Sequence, residues 1–473
     1  MSAMNLSLQQ ALSWLSGARC VGDAQVVVQR VHTDSRSLRA GDLFVALRGE
    51  KFDANAFIDQ AKAQGAVAVL CEPQGEAMAV AHGLSALVVP DARLALGELA
   101  AGWRAQFDLP VIAVTGSNGK TTVTQMVASI LRAHAGDAAH ATRGNLNNDI
   151  GVPLTLLGLR AHHRIGVVEL GMNHPGEIAT LARLAQPTVA LVNNAQREHQ
   201  EFMHSVRAVA LENGAVLQAL PANGVAVFPS DDEHTPLWRE AAGARTVLTF
   251  GADGDVQAMQ SARTGLGWTG RMACPRLGIE FEFELAMPGE HNLRNAMAAT
   301  ACALSAGVPA DAIARGLSDF RPVAGRSQAQ TLQLGQKKIT LVDDTYNANP
   351  DSVRAAIDVL AELPAPRLLV LGDMGEVGTQ GPEFHAEVGH HAADKGIDQV
   401  VCLGELATFT AQACGAHALH MNSIEALNQH VMQQLPSLGS VLVKGSRFMK
   451  MERVIDAITC CQTQNKKEPT PCC

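Results

Sequence analysis

Short apolar runs alternate with longer stretches of helical periodicity along most of the chain. Runs rich in Val, Ile and Leu predict buried strands at residues 26–31, 43–47, 67–70, 111–114, 165–170, 188–193, 225–228, 339–342, 367–371, 399–403 and 440–443. Apolar positions three and four residues apart predict helices at residues 6–15, 56–64, 122–132, 292–306, 352–360 and 383–393. Residues 265–287 show the short alternation that is typical of antiparallel strands at a sheet edge. Strands that alternate with helices predict an α/β fold built on parallel sheets.

The length of the chain indicates more than one domain. With 473 residues, 47% of them hydrophobic, it exceeds the size at which a single hydrophobic core stops growing. We expect a small α/β N-terminal domain at residues 1–108, a central parallel-sheet domain at 109–322 and a Rossmann-like C-terminal domain at 323–461. The Pro- and Gly-containing residues 321–326 are predicted to form the hinge before the last domain, and residues 462–473 a disordered tail.

The charge and the apolar segments narrow the range of partners. A formal charge of -9 argues against nucleic acid and anionic membrane surfaces, which bind basic proteins. No apolar run approaches the roughly 18 residues of a membrane span, and the N-terminus lacks a basic region followed by an apolar one. We therefore expect a cytoplasmic protein that is not inserted in a membrane and whose partners are small molecules, including polyanions where cations are concentrated locally.

The strongest chemical signal lies between the predicted strand 111–114 and helix 122–132. A loop of this composition turns backbone N–H groups towards phosphate oxygens, Lys120 reaches the outer phosphates, and the Thr121 hydroxyl ligates Mg²⁺. An ordinary turn before a helix has no need of a Lys and two Thr after the second glycine. The predicted nucleotide-binding residues here are Thr115, Gly116, Ser117, Asn118, Gly119, Lys120, Thr121 and Thr122.

Two further residues are candidates for a metal site beside this loop. Glu169 ends the predicted strand 165–170, and His199 follows the predicted strand 188–193, so both are expected at the carboxyl edge of the sheet. Together with Thr121 they form the predicted metal site, since Mg²⁺ prefers oxygen ligands. The alternatives are an exposed carboxylate at a strand end and a solvated loop histidine.

Several motifs, taken in order, resemble those of the Mur ligases. They are Gly116 to Thr122, Glu169-Leu170-Gly171, His199, His291-Asn292, Gly325-Arg326 and the run Asp343 to Pro350, with Thr33 to Arg36 and Gly41 to Phe44 similar to the uridine-diphosphate-binding domain of the group. The resemblance spans essentially the whole chain before the tail. It implies a central ATP-binding domain between two α/β domains, with ATP and Mg²⁺ as cofactors.

Residue roles follow from the resemblance. Family members transfer the γ-phosphate of ATP to a carboxylate and then form an amide from the acyl phosphate. This implies catalytic roles for Lys120, His199, Arg326 and Asp344, and nucleotide contacts from Asn292, Arg326, Asp344, Tyr346, Asn347 and Asn349. The implied substrate-binding residues are Ser35, Arg36, Asn147, Asn148, Lys444 and Arg447. Lys444 or Arg447 is expected to pair with the carboxylate of the acceptor, with a solvated surface charge as the alternative for each.

Within the family, residues 144–153, 346–350, 371–376 and 444–449 look like those of the members that add D-alanyl-D-alanine to UDP-N-acetylmuramoyl-tripeptide. The alternatives are a folylpolyglutamate synthetase or the ligase that adds the third peptide residue, although the third domain has no Asp-Asn-Pro-Arg motif. A nucleotide-binding switch without ligase activity is the alternative from another class. We expect a monomer.

One position departs from the family pattern. Members commonly carry a lysine about fourteen residues after the loop histidine, and its carbamate adds a negative charge near a second Mg²⁺. Here the count from His199 reaches Asn213, which has no amine to carbamylate. We expect either that Glu212 supplies the missing charge or that the second metal binds more weakly.

Overall fold

The computed structural model describes residues 3–49 and 52–465, and from residue 461 onward it describes the backbone only. None of the helices in these ranges is long and apolar enough to cross a membrane. The last helix runs from Glu452 to Asn465, so the predicted disordered tail is wrong for residues 462–465. These residues extend a helix whose Val454, Ile455 and Ile458 are packed in a hydrophobic core. Residues 466–473 of the predicted tail lie outside the described residues.

The first unit (residues 3–104) is a five-stranded sheet in the order β2-β7-β6-β5-β4, parallel except for β2. Its elements are β1 (Leu6–Ser7), α1 (Leu8–Leu12), β2 (Arg19–Val21), β3 (Val27–Val28), β4 (Arg30–His32), β5 (Asp42–Val45), α2 (Ile58–Ala63), β6 (Ala68–Cys71), α3 (Pro73–Ala81), β7 (Ser85–Val88) and α4 (Ala92–Arg104). The predicted helix 6–15 is wrong at its start. Ser7 is extended, pairs with Val27 in a strand and caps α1 by accepting a hydrogen bond from the Gln10 amide.

The central unit (residues 111–319) contains a fully parallel six-stranded sheet in the order β13-β12-β11-β8-β10-β9. Its elements are β8 (Val111–Thr115), α5 (Lys120–Ala135), β9 (Ala139–Ala141), α6 (Gly151–Leu156), β10 (Ile165–Glu169), α7 (Glu177–Ala185), β11 (Val189–Val192), α8 (Gln200–Met203), α9 (Val206–Gln218), β12 (Val225–Pro229), α10 (Thr235–Ala242), β13 (Thr246–Phe250), β14 (Gln257–Thr264), β15 (Gly267–Cys274), β16 (Ile279–Leu285), α11 (Glu290–Ser305) and α12 (Ala310–Asp319). Strands β14 to β16 form a separate antiparallel sheet, which confirms the antiparallel strands predicted from the alternating pattern. The sheet begins at Gln257, earlier than the predicted residue 265.

The third unit (residues 328–465) is a second six-stranded sheet, in the order β17-β18-β22-β19-β20-β21. Its elements are β17 (Gln328–Leu334), β18 (Lys337–Asp344), α13 (Pro350–Ala361), β19 (Arg367–Gly372), α14 (Gly381–Asp394), β20 (Gln399–Leu403), α15 (Ala407–Cys414), β21 (Ala418–Met421), α16 (Ile424–Gln434), β22 (Ser440–Lys444) and α17 (Glu452–Asn465). Only β17 is antiparallel to its neighbour. The sequence pattern missed β17 because it is a largely polar edge strand in which Leu332 alone is buried.

The predicted α/β class and parallel sheets are confirmed, and the sheet order explains where polar side chains meet. Strands β8, β10 and β11 are neighbours at the centre of their sheet, so the segments after them emerge at one edge. In the third unit β18 and β22 are in register, with Asp344 opposite Lys444. A continuous hydrophobic cluster links the first and central units through Leu96, Leu99 and Trp103 of α4. The domain limits 1–108, 109–322 and 323–461 stay predictions.

Candidate active site

The loop between β8 and α5 has a backbone that only glycine adopts readily. Gly116 and Gly119 have φ values of 130° and 80°, and α5 begins directly after them at Lys120. A Cβ on Gly119 would lie 2.5 Å from the Asn295 Oδ1 atom, and one on Gly116 would lie 2.9 Å from the Asn193 Cβ. The segment is therefore packed tightly against α11 and the end of β11, and the N-terminus of α5 can receive a ligand.

Lys120 is folded back onto its own loop. Its Nζ donates to the carbonyl oxygens of Gly116 at 2.5 Å and Ser117 at 3.0 Å, and to the Glu198 Oε2 at 3.1 Å. The Glu198 side chain is 6% exposed, and its Oε1 atom is buried without a hydrogen-bond partner. Sequence reasoning missed Glu198, because a glutamate in a polar loop carries no signal of burial.

The carboxylate of Glu169 lies beside the start of α5. Its Oε1 accepts hydrogen bonds from the Thr121 Oγ1 at 3.0 Å and the Asn147 Nδ2 at 2.8 Å, while the buried Oε2 has no partner. An unpaired buried carboxylate oxygen beside a hydroxyl is a donor set that fits Mg²⁺. Within the described ranges no three His, Cys, Asp or Glu side chains are grouped as a metal site. A metal at Thr121 and Glu169 would therefore need phosphate or water oxygens as well.

His199 connects the central unit to the third unit. Its backbone is left-handed, with φ of 48°, and its Nδ1 lies 2.5 Å from the Glu376 Oε2. This contact with His199 is the main reason why the pKa of Glu376 lies below its ordinary value. The Nε2 of His199 is 3.8 Å from the Glu198 Oε2. The predicted roles of His199 in metal binding and catalysis stay predictions.

The third unit contributes Asp344 and Lys444, which form a buried pair. The Lys444 Nζ lies 2.5 Å from the Asp344 Oδ2 and donates to the Asn347 carbonyl at 2.9 Å. Its side chain is 4% exposed. The expectation that Lys444 meets the acceptor's carboxylate is thus not supported, because β18 and β22 hold this ammonium against Asp344. The other oxygen of Asp344 accepts from the Ser327 amide at 2.9 Å.

Two guanidinium groups lie close to the ring of Tyr346. Arg326 is 3.7 Å from the centre of the ring and Arg447 is 5.6 Å from it. Arg447 is 65% exposed in its side chain and pairs with Glu452 at 3.2 Å. Arg326 is consequently held where it faces the cavity described below, whereas Arg447 lies outside the cavity lining.

The polar loop before α13 reaches the phosphate loop directly. The side-chain amides of Asn349 and Asn118 exchange hydrogen bonds of 2.9 and 3.3 Å. Asn349 also caps α13 by accepting from the Ser352 amide at 2.8 Å. Asn292, which is 1% exposed, donates to the Pro288 carbonyl at 2.8 Å and accepts from Asn295 at 3.1 Å.

These groups line one cavity of about 1510 Å³ between the central and third units. The predicted site residues in its wall are Ser117, Asn118, Gly119, Lys120, Thr121, Thr122, Asn147, Asn148, Glu169, His199, Asn292, Arg326, Asp344, Tyr346, Asn347, Asn349 and Lys444. Helix α4 of the first unit also contributes, through Arg93, whose Nε lies 2.9 Å from Asp149. No pattern in the sequence indicates that α4 reaches the site.

Besides Arg447, four predicted site residues lie outside this lining: Thr115, Gly116, Ser35 and Arg36. The Thr115 hydroxyl donates to the Asn213 Oδ1, which also accepts from the Gly116 amide at 3.0 Å. Ser35 donates to the Gln60 side chain at 3.0 Å, and Arg36 pairs with Asp34. That guanidinium lowers the pKa of Asp34. The predicted substrate contacts of Ser35 and Arg36 stay predictions.

The position that departs from the family pattern has a structural role. Asn213 is 1% exposed and anchors the start of the phosphate loop through the contacts just described. Glu212 points elsewhere, since its two carboxylate oxygens accept from the amides of Gly176 and Ile178, each at 2.8 Å. The expectation that Glu212 supplies charge to a metal is therefore wrong, because its carboxylate caps α7 and is absent from the cavity wall.

Comparison with known proteins matches three segments in order. Residues 27–104 match "Mur ligase family, catalytic domain", residues 114–303 match "Mur ligase middle domain" and residues 325–447 match "Mur ligase, glutamate ligase domain". A relative from Escherichia coli (strain K12), named UDP-N-acetylmuramoyl-tripeptide--D-alanyl-D-alanine ligase, is 40% identical over 96% of this chain and 98% of its own length. A relative of the same name from Bacillus subtilis (strain 168) is 33% identical over 91% and 93%.

Solved structures agree with these matches. A crystal structure of MurF from Acinetobacter baumannii is 34% identical, with a TM-score of 0.88 over 96% of this chain and 99% of that one. The MurF ligase from Thermotoga maritima in complex with ADP is 26% identical, with a TM-score of 0.78 over 92% and 98%. Because the three segments, the phosphate loop and the three-unit fold coincide over nearly the whole chain, the protein belongs to the Mur ligase family.

Proposed function

We propose that this protein is an ATP-dependent ligase that joins D-alanyl-D-alanine to UDP-N-acetylmuramoyl-tripeptide, in cytoplasmic synthesis of a peptidoglycan precursor. The observation that carries the proposal is the single cavity in which the phosphate loop meets the polar loop before α13. The names of relatives that cover almost the whole chain support the choice of substrates. The protein is proposed to act as a monomer.

The reaction has two steps. In the first, a carboxylate oxygen of the tripeptide attacks the γ-phosphorus of ATP, the bond from that phosphorus to the bridging oxygen breaks, and ADP leaves. In the second, the amine nitrogen of the dipeptide attacks the acyl carbon, inorganic phosphate leaves, and the nitrogen loses a proton to solvent. Two anions meet in the first step, so the site must concentrate positive charge.

The cavity wall offers that charge from both sides. Lys120 lies at the phosphate loop and Arg326 at the third unit, where Tyr346 fixes its guanidinium. Thr121 and Glu169 would hold Mg²⁺, which supplies further positive charge to phosphate oxygens when bound. Asn118 and Asn349 hold the two loops together, so the reacting groups are brought into one cavity.

A coupled assay of ADP release tests this proposal. The protein is supplied with ATP, a panel of UDP-linked peptides, and either D-alanyl-D-alanine or free D-alanine as acceptor. We expect ADP release to require both substrates and to favour the dipeptide. Equal use of D-alanine would contradict the proposed acceptor while leaving the ligase chemistry in place. ATP hydrolysis that ignores both substrates would instead indicate a nucleotide switch.

A further inference from the structure

Arg197 joins the loop after β11 to the third unit, and no role has yet been assigned to it. Its backbone amide donates to the Asp351 Oδ2 at 2.9 Å, and its Nη2 donates to the Asp351 Oδ1 at 2.6 Å. Its guanidinium also meets the carboxylate of Glu387, with Nη1 to Oε2 at 2.6 Å and Nη2 to Oε1 at 3.0 Å. The same group lies 5.1 Å from the centre of the Phe384 ring.

The two carboxylates lie on different helices of the third unit. Asp351 is in the first turn of α13, and Glu387 is in the middle of α14. One side chain of the central unit therefore fastens two helices of the third unit. Paired, bidentate hydrogen bonds between charged groups are stronger and more directional than a single surface ion pair. The side chain of Arg197 is only 22% exposed, which limits screening by solvent.

The neighbours of Arg197 in the chain face the nucleotide side of the cavity. The Gln196 amide donates to the Ser117 Oγ at 2.8 Å, and Glu198 accepts from Lys120. His199, two residues further on, contacts Glu376 of the third unit. Residues 196–199 thus link the phosphate loop to the third unit, and Arg197 makes the most extensive of these interunit contacts.

Another ion pair between the central and third units is more exposed to solvent than the contacts of Arg197. Arg263 of β14 contacts Glu362 at the end of α13, with side-chain exposures of 39% and 41%. Exposed pairs of this kind contribute little to stability. If the central and third units separated, Asp351 and Glu387 would both lose their contact with Arg197. Of the ion pairs between these units, those of Arg197 would therefore account for the largest loss.

We propose that Arg197 is a positioning residue for ligation: it latches residues 196–199 to α13 and α14 and so sets the closed arrangement in which the third unit meets the phosphate loop. The proposal rests on the proposed ligase function. The latch holds the two halves of the cavity wall in one geometry while contacting neither substrate itself. The interaction with Arg197 is also the main reason why the pKa of Glu387 is lowered to about 2.

Arg197→Ala tests the latch, with Arg354→Ala as the matched control. Arg354 donates to the same carboxylate, at 2.5 Å from the Glu387 Oε1, but it lies on α13 and makes no contact with the central unit through this pair. Small-angle X-ray scattering of the full chain with a non-hydrolysable ATP analogue should give a larger radius of gyration for Arg197→Ala than for the wild type or Arg354→Ala.

Steady-state kinetics supply the second readout. Loss of the latch should lower kcat by about tenfold or more and raise the KM for the dipeptide, because charge-assisted hydrogen bonds of this kind contribute strongly to the free energy of the closed arrangement. The affinity for ADP should change by less than about threefold. Arg197→Lys, which keeps the charge without the bidentate fork, should recover part of the loss. It also replaces Arg197→Ala if that variant does not fold.

The results of these experiments distinguish failure of the proposed latch from failure of the proposed function. An unchanged radius of gyration and unchanged kinetics in Arg197→Ala would overturn the proposal, and so would equal losses in Arg197→Ala and Arg354→Ala, since the network would then serve only the third unit. If the wild type shows no ligation at all, the proposed function fails, whereas the scattering comparison still decides whether Arg197 holds the units together.

Discussion

Lys120 has its three N–H donors occupied by protein acceptors, and two of these are carbonyls of its own loop. The third acceptor, the Glu198 side chain, has one oxygen without a hydrogen-bond partner. A triphosphate that enters the loop must therefore compete with Glu198 for Lys120. The Glu198 carboxylate is then left buried beside phosphate, a situation that requires a neutralising cation.

Glu198→Gln should consequently tighten ADP binding in the absence of divalent metal, by about threefold to tenfold, because the competing charge for Lys120 is removed. Isothermal titration in the presence of EDTA measures this. Glu201→Gln, at an exposed position of α8, serves as the control. Weaker binding by Glu198→Gln without metal would show that the carboxylate supports the loop instead of competing with the nucleotide.

Lys120→Ala should abolish most ligation without unfolding the protein, because a charge contact to the outer phosphates is lost while the hydrophobic core is untouched. Loss of one such contact typically lowers the rate by about 10² to 10³. Turnover and thermal unfolding are measured on the same preparation. Near-normal turnover in a folded variant would reject the assigned role.

Because Asn213 stands where family members commonly carry a lysine, we expect the activity of this protein to be independent of bicarbonate. Its amide cannot form a carbamate, and its Oδ1 is committed to Thr115 and the Gly116 amide. Ligation assayed in degassed, bicarbonate-free buffer should match ligation with bicarbonate added. Stimulation by bicarbonate would mean that another residue of the chain is carbamylated.

At the scale of elements, α7 depends on a carboxylate from a different helix. Glu212 of α9 accepts from amides at the N-terminus of α7, where a negative charge also meets the positive end of the helix dipole. Glu212→Ala should therefore lower the free energy of unfolding by about 1 kcal/mol and leave the Mg²⁺ dependence of activity unchanged.

Urea unfolding and a magnesium titration measure these two effects. Glu240→Ala, which removes an exposed carboxylate from α10, should change neither. A raised Mg²⁺ requirement in Glu212→Ala alone would restore the metal-ligand hypothesis for this residue.

A histidine cluster beside β9 and β10 makes stability depend on pH. The His163 ring lies 4.8 Å from His140 of β9 and 4.2 Å from His162, and its Nδ1 accepts from the Arg160 amide at 2.9 Å. Burial, with smaller electrostatic contributions from His140, His162 and Arg160, lowers the pKa of His163 to about 4. Between about pH 6.5 and 4 the unfolded chain therefore binds a proton that the folded chain does not, so stability falls as the pH falls.

His163→Gln should flatten this dependence. The midpoint of urea unfolding, measured at intervals from pH 7 to pH 5, should decline less steeply in the variant than in the wild type. Parallel profiles for the two proteins would assign the pH dependence to other groups.

At the scale of the whole molecule, charged contacts hold the third unit against the central unit. Arg197 with Asp351 and Glu387, His199 with Glu376, and Arg263 with Glu362 all cross between these units. By contrast, a continuous hydrophobic cluster joins the first and central units. The hydrophobic contact between the first and central units should resist salt, whereas the charged contact between the central and third units should weaken as the salt concentration rises.

The radius of gyration should therefore increase between 0.1 M and 1 M NaCl, as the Debye length falls from about 10 Å to about 3 Å. Scattering in a neutral osmolyte of matched electron density provides the comparison. A radius that stays constant across this range would indicate that apolar contacts, not ion pairs, hold the third unit in place.

The sequence by itself determined the local features: the alternation of strands and helices, and the loop that Gly116, Gly119 and Lys120 form before α5. These depend on backbone preferences and periodicity within a few residues of one another. Its position at the end of a predicted strand suggested the role of Glu169, and the resemblance to a family suggested that of Arg326; both residues line the cavity.

Only the tertiary structure decided which charges meet. Glu198 lies 78 positions from Lys120, Arg197 lies 190 positions from Glu387, and Lys444 lies 100 positions from Asp344. No local pattern encodes such partners, because burial and pairing depend on how the fold brings together elements that are far apart in the chain. The same holds for Glu212, whose proximity in sequence to Asn213 suggested a metal site, whereas the direction of α9 turns it towards α7.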